Sequence, residues 1–488
     1  MTFLSRTEGW VILVVFSVSM FTLAWLKTRR ASTADGFLVA DRNVSIPSGA
    51  LSIAVAWIWA PAIFICSMQS YTKGLPGIFW FTAPNIVCFF VFAPLGVRLR
   101  RLMPQGYTLP EFIFRRFGGN KATHLGFLCV FFGYQLGAVV INCLAGGALL
   151  HALSGIDTRV AIVAMSLTAI SYTLLSGLKA SVFTDVIQML MVLVVAFTLV
   201  PWSVVASGGW STVAGGLGGL GGEHPSLFDP WIAYTMGIPM SLGLIAGPIG
   251  DQMFFQRAMA VPTRNIVKTF VYGGLVFGVV PITLSLLGFI AANPAVHAVL
   301  PVSDPQMVGP AVIGHFLPRG ALIAFCLLAF AGLCSTLDSS FCAQSSLGAI
   351  DVYKRYLKPG ASDTELLAAS RKVMALGGVV GTGIALLEPK LLWVFLTYGA
   401  LASAGMFPTI LSLCWDRLPA RGAFWAVLLS LGIGTPLSIY ANVTENPHLI
   451  VIAAGASVLV GLAVCLVAGF GNRGPRYRFE LLAGASEP

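Results

Sequence analysis

Charge is scarce in this chain. Asp, Glu, Lys and Arg make up 10% of its 488 residues, where a soluble globular protein carries about 25%. Hydrophobic residues supply 57%. That balance excludes an ordinary soluble domain and fits a polytopic membrane protein. Paired cysteines are missing too. Cys66, Cys88, Cys129, Cys143, Cys326, Cys334, Cys342, Cys414 and Cys465 all lie in apolar runs, and none forms a Cys-x-x-Cys pair. This argues against a disulfide framework and against a zinc site. No Walker A sequence or other phosphate-cradling loop occurs, which argues against ATP-driven chemistry and leaves no organic cofactor to expect.

Long hydrophobic runs are what the chain has. They place thirteen spans near 8–28, 46–70, 77–99, 122–154, 158–178, 180–206, 231–258, 264–293, 318–350, 366–387, 390–414, 420–441 and 447–470. The first run lacks a basic leader and a small-residue cleavage site, so it reads as a retained helix. With the N-terminus outside, 24 of the 29 Lys and Arg fall on inner connections; only Arg6, Lys73, Arg159, Arg319 and Lys390 lie outside. The positive-inside rule therefore predicts N-out and C-in. The net charge of +10 is topological in this reading and gives no reason for a nucleic-acid partner. The outer connection 207–230 is Gly-rich and has no Lys or Arg, so it reads as a flexible loop without chemistry of its own.

Two spans are interrupted. One contains "AVAWIWAPAIF" with Pro61 in its middle; the other contains "GLIAGPIGDQMFFQR" with Gly247, Pro248 and Gly250 close together. Proline inside a helix frees a carbonyl, and such a Gly-Pro-x-Gly run invites unwinding. Either alone is an ordinary kink. Five spans separate their starts, which predicts a five-helix repeat present in two oppositely oriented copies. Paired broken helices point to a solute site near the bilayer midplane.

Of the 19 acidic residues, only Asp185, Asp251 and Asp338 fall well within spans, where ionisable groups are costly and usually functional. Asp185 reads most simply as a helix cap. Asp338 stands in "LCSTLDSSF", Leu333–Phe341, with no basic residue within about a dozen positions. Helical spacing puts Ser335, Asp338 and Ser339 on one face. Ser335 and Thr336 offer hydroxyl ligands of the kind a hard cation takes; the alternative is that they bond back to carbonyls one turn earlier.

These residues resemble the sodium/solute symporter family, which includes bacterial proline, sialic acid and sugar symporters. The resemblance rests on "DGFLVADRN" (Asp35–Asn43), "SGLKASVFTDVIQ" (Ser176–Gln188), "FFQRAMA" (Phe254–Ala260) and "CSTLDSSFCAQSSLGAIDVYKRY" (Cys334–Tyr356). It implies an all-α LeuT-type fold with a five-plus-five inverted repeat: an extra helix and inner linker over 1–45, repeats over 46–206 and 231–414 joined by the outer loop 207–230, and two further helices with a cytoplasmic tail over 415–488. It also implies a multi-pass protein of a bacterial inner (plasma) membrane, acting as a cation-coupled symporter for a small polar solute by alternating access, and not an enzyme. The oligomeric state is left open.

Carried over residue by residue, a sodium site would use the carbonyls of Ala56, Trp59 and Gly332 with the hydroxyls of Ser335 and Thr336. A further cation position would use Ser335, Asp338, Ser339 and Asp185. Asp338 replaces a hydroxyl of some relatives, so either sodium or a proton is the coupling ion. "AWIWAPAIF" and "GDQMFFQRAMA" resemble the urea-transporter branch, with Pro61 a departure from its pattern. The solute would then meet Trp57, Asp251, Gln252, Phe254 and Phe255, with Trp59 and Gln256 nearby, and Asp251 would favour N–H donors such as urea. The alternative is that Asp251 pairs with Arg257. The rival functions are a proton-coupled or uncoupled facilitator and, remotely, an intramembrane aspartyl protease. The protease motifs Tyr-Asp and Gly-x-Gly-Asp fail against Thr184-Asp185 and Gly247-Pro248-Ile249-Gly250-Asp251.

Overall fold

The computed structural model describes residues 4–28, 31–389 and 391–484, so Arg29, Arg30 and Lys390, three of the charges counted above, lie outside the described residues. Every regular element among the described residues is helical. The main helices are α1 (Arg6–Lys27), α2 (Ile46–Ala56), α3 (Pro61–Leu102), α4 (Lys121–Ser154), α5 (Thr158–Ser176), α6 (Leu178–Ala206) and α7 (Pro230–Gly250). They continue with α8 (Gln252–Ala260), α9 (Thr263–Ala292), α10 (Arg319–Leu357), α11 (Asp363–Ala385), α12 (Leu391–Cys414), α13 (Ala420–Val443) and α14 (Pro447–Gly471). Among the described residues, ten helices are long and apolar enough to cross a membrane. Starts are set by polar caps: Ser5 and Ser362 form capping boxes with Glu8 and Glu365, and Asn120, Asp157 and Asn446 cap α4, α5 and α14.

Both interruptions are present, and each differs in detail from its expectation. Pro61 does not kink a helix. It opens α3, after a non-helical stretch at Trp57–Trp59, where its missing N–H costs nothing. The second break is a tight turn over Gly247–Gly250 followed by extended backbone at Asp251 (φ −112°, ψ 118°). Asp251 then caps α8 by accepting from the Met253 N–H at 2.7 Å. The two breaks touch: a Cβ on Gly247 would lie 2.8 Å from the Trp57 ring and 3.3 Å from Tyr134 Oη.

The expected gap between the second and third runs shrinks to one residue. Gly74 (φ 62°, ψ −147°) interrupts α3, and a Cβ there would meet the Leu217 carbonyl at 2.4 Å. This corrects the reading of 207–230 as a flexible loop. Gly216, Gly218 and Gly219 serve close approach, while Gly209 and Gly222 meet nothing within 4 Å. Leu75 N–H donates to Leu217 O at 2.9 Å, Asn293 Nδ2 donates to Thr212 O at 3.0 Å, and a Cβ on Gly216 would lie 1.9 Å from Phe289 O. Residues 212–219 pack against α3 and α9.

Just before α2, Ala40, Asp41 and Arg42 all have left-handed φ, near 48°, 53° and 56°. Such residues cost roughly 1–3 kcal/mol each. Asp41 pairs with Lys179, and Arg42 donates to Gly106 O at 2.8 Å, Asp35 at 2.9 Å and Gln105 O at 3.1 Å. Through the centre runs α10, buried continuously over 328–351 and packed against α4, α5 and α6.

Candidate functional site

Residues 332–340 on α10 face the first break. Gly332 is required there, since a Cβ would lie 2.6 Å from the Ile58 carbonyl. Thr336 Oγ1 lies 3.1 Å from Ala56 O and 3.2 Å from Gly332 O. The structure thus brings Ala56, Gly332 and Thr336 together. The Trp59 carbonyl accepts from Ala62 N–H at 2.9 Å, and Asn142 holds the break open by accepting from Ala60 N–H at 3.2 Å. Ser335 turns to the neighbouring cluster, donating to Asp185 Oδ1 at 2.5 Å.

That cluster is wholly buried. Asp185, Asp338, Ser335, Ser339 and Ser52 are 0% exposed and Arg257 is 2% exposed. Asp185 is therefore not a helix cap; it is the anchor of a buried ion pair. Arg257 Nη2 lies 3.0 Å from Asp185 Oδ2 and donates to Ser339 Oγ at 2.6 Å, while Arg257 Nε donates to Ser52 Oγ at 3.0 Å. Ser52 donates to Asp185 Oδ2 at 2.6 Å. Asp338 is held separately, by Tyr172 Oη at 2.7 Å and Ser181 Oγ at 2.6 Å. The four residues expected around a further cation thus do meet, and the Arg257 guanidinium sits among them.

The alternative pairing of Asp251 with Arg257 is overturned, because Arg257 is committed to Asp185. Asp251 Oδ1 accepts from Gln135 Nε2 at 2.7 Å and from Met253 N–H, while Oδ2 has no hydrogen-bond partner among the described residues. Trp57 lies at the junction of the breaks, its indole N–H donating to Asn85 Oδ1 at 2.8 Å. Trp59 packs on Tyr398 with centroids 5.1 Å apart, and Tyr398 stacks on Tyr134 at 3.8 Å.

Three of the residues expected at the solute are placed otherwise. Gln252 turns toward the connection between α3 and α4, accepting from Leu109 N–H at 3.2 Å and donating to Tyr107 O at 3.0 Å. Phe255 packs on Phe92 at 4.8 Å and Phe131 at 6.1 Å, within the helix interface. Gln256 clamps the linker between α1 and α2 through Leu38 O at 2.7 Å. Phe254 stands behind Trp57, edge-on at 5.0 Å, and also meets Phe89 and Phe92. The sequence reading missed Gln135, Tyr134 and Tyr398. A glutamine inside the apolar run "FFGYQLGAVV" was the available signal, since polar groups in spans need a reason.

The model of the sodium:solute symporter family matches residues 37–430. A urea-proton symporter of Oryza sativa subsp. japonica is 25% identical over 517 aligned residues, which cover 96% of this chain and 70% of that protein. A sodium/glucose cotransporter of Vibrio parahaemolyticus is 24% identical, covering 86% of this chain and 82% of the relative. Among solved structures, a substrate-bound, outward-open Na+-coupled sialic acid symporter superposes with a TM-score of 0.76 at 19% identity, over 94% of this chain and 98% of the other. MhsT, solved in complex with L-phenylalanine, gives 0.53 at 15% identity, over 87% and 99%. These likenesses carry the LeuT fold. The chain belongs to the sodium:solute symporter family: a multi-pass membrane protein that moves a small solute with a cation, and not an enzyme.

Proposed function

We propose that this protein is a symporter for a small N–H-rich solute, urea or a close analogue, driven by sodium or a proton through alternating access. The observation that carries the coupling is a count of buried charge. Asp185 and Asp338 share their dry cluster with one cation, Arg257. With both acids ionised, the cluster is one positive charge short. An uncompensated buried ion costs several kcal/mol, so one further cation completes it. Sodium reaches it beside Ala56 O, Gly332 O and Thr336; a proton reaches it on Asp338. In this reading Ser335 faces both positions. The solute sits between the breaks, against Asp251 and the Trp57, Trp59 and Tyr398 rings. The urea-proton and sodium/glucose relatives support both choices of ion.

The same proposal has thirteen spans, the N-terminus outside and the C-terminus inside a plasma membrane, with 46–206 and 231–414 as inverted repeats flanked by 1–45 and 415–488. Phe254 forms the back wall of the solute site.

Labelled urea uptake into proteoliposomes, under an imposed sodium gradient, a proton gradient or neither, tests the coupling. Accumulation should appear only with a cation gradient; equal flux under all three conditions would make the protein an uncoupled facilitator. Ser335→Ala with Thr336→Ala removes two hydroxyls from the cation's surroundings. That variant should insert normally and lose cation stimulation by roughly tenfold or more, as expected when a buried carbonyl and carboxylate lose their partners. A wild-type cation response in it would reject the site.

Asp338→Asn makes a separate point. It leaves the Asp185–Arg257 pair balanced by itself, so no further charge is needed. Transport by Asp338→Asn should respond little to pH across the range where the wild type responds. A wild-type pH profile would reduce Asp338 to a structural residue.

A further inference from the structure

Asp251 is not alone at the second break. Gln135, on α4, and Asp251 are both 0% exposed, and Gln135 Nε2 donates to Asp251 Oδ1 at 2.7 Å. A carboxylate accepts only, so this bond fixes which end of the Gln135 amide faces it. The amide oxygen must then point elsewhere. Gln135 Oε1 and Asp251 Oδ2 are both buried, and neither has a hydrogen-bond partner among the described residues. Two orphan acceptors on hydrogen-bonded neighbours are rare in a folded core. Around them stand flat walls. Tyr134, next to Gln135 in the chain, stacks on Tyr398 at 3.8 Å with planes 22° apart, and its hydroxyl side approaches Gly247 of the break, where Trp57 also packs.

We infer that Gln135 and Asp251 form a paired acceptor edge that reads N–H groups on two different nitrogens of one planar solute, with Gln135 the residue that separates ureas and guanidines from simple amides. The inference rests on the proposed function above and sharpens it. Urea and guanidinium each present N–H groups from two nitrogens along one edge. One nitrogen would serve Asp251 Oδ2 and the other Gln135 Oε1. Acetamide has the same size and plane, but a methyl group replaces one nitrogen. It would leave one buried acceptor unpaired, and sites built to hydrogen-bond discriminate strongly against ligands lacking the group. An unpaired buried acceptor costs on the order of 10- to 100-fold in affinity.

The inference also separates the two broken helices by task. Acceptors for the solute come from α4 and from the second break, while the first break offers the cation the Ala56 carbonyl, opposite that of Gly332 on α10. Gln135 does not belong to the charge cluster, so replacing it should leave the ion requirement alone.

The test is competition. Proteoliposomes containing the full chain take up labelled urea under the gradient that drives it, with unlabelled urea, guanidinium chloride, methylurea or acetamide added. Wild type should be inhibited by urea, methylurea and guanidinium at concentrations roughly 10- to 100-fold below those needed of acetamide. In Gln135→Met, which keeps the length and removes the acceptor, urea and acetamide should compete within about threefold of one another, with the cation requirement intact. Because the readout is a ratio within one protein, a lower yield of folded variant does not affect it. Acetamide competing as well as urea in wild type overturns the inference even if the variant never folds. So does a preserved preference in Gln135→Met. If neither urea nor guanidinium is transported or competes, the proposed solute class fails with it; if urea is carried but the preference is absent, only the paired edge fails.

Discussion

Arg257→Gln is expected to yield little folded protein and no measurable transport. The guanidinium is buried, and it holds Asp185, Ser339 and Ser52 at once. Removing one member of a buried pair leaves the other charge uncompensated, at a cost of about 3–5 kcal/mol. A loss of that size is a large share of typical total stability, about 5–15 kcal/mol. Lysine should rescue poorly, because one ammonium cannot reproduce the fork that reaches Ser52 with Nε and Asp185 with Nη2. Adding Asp185→Asn to Arg257→Gln removes the orphaned charge and should restore much of the yield. The double-mutant cycle, read as recovery of monodisperse protein in detergent and as apparent melting temperature, isolates the pair from its surroundings. Arg257→Gln with wild-type melting and uptake would show that the pair carries neither stability nor function.

Asp251→Asn should do the reverse: keep the fold and lose the solute. Asparagine caps helices about as well as aspartate, so α8 can still begin at Gln252. What changes is the free edge. Where Asp251 Oδ2 offers an acceptor, the variant presents either an amide N–H or a neutral oxygen, and the negative charge is gone. We expect KM for urea to rise by roughly 10- to 100-fold, with near-normal yield, as for loss of a hydrogen bond to a charged group. An unchanged KM would remove Asp251 from the solute's surroundings. Tight uptake of an anionic substrate by the wild type would contradict the reading from the other side, since two like charges would meet in a poorly solvated site.

Much of this architecture was legible because its signals are local. Pro61 marks the first break from just beyond it and paired glycines mark the second from within, and Asp338 declares itself by standing among hydroxyls in an apolar run. The errors came from contacts distant in sequence. Asp185 reads as a cap because Arg257, its partner, lies 72 positions away on a helix that only the fold brings near. Gln252 sits beside the break, yet one residue of helix turns a side chain by about 100°, enough to send it to Tyr107 and away from the break. Gln135 and Tyr398 come from helices whose hydrophobic pattern says only that they are buried. In the outer connection, glycine is ambiguous by nature: the same residue serves a loose chain and one pressed against a neighbour, and only Gly74 opposite Leu217–Gly219 decides between them.

The arginine clasp has a mechanical consequence. Ser52 lies on α2 and Arg257 on α8, the helices beside the two breaks, and both fasten to Asp185 on α6. Any movement that draws α8 away from α6 must strip a guanidinium from its carboxylate, and the separated groups are tolerable only once hydrated. Parting and wetting are therefore one event. A dry, half-parted state would carry two naked charges and stand several kcal/mol above either neighbour, so this junction should be found shut or flooded and seldom anything between.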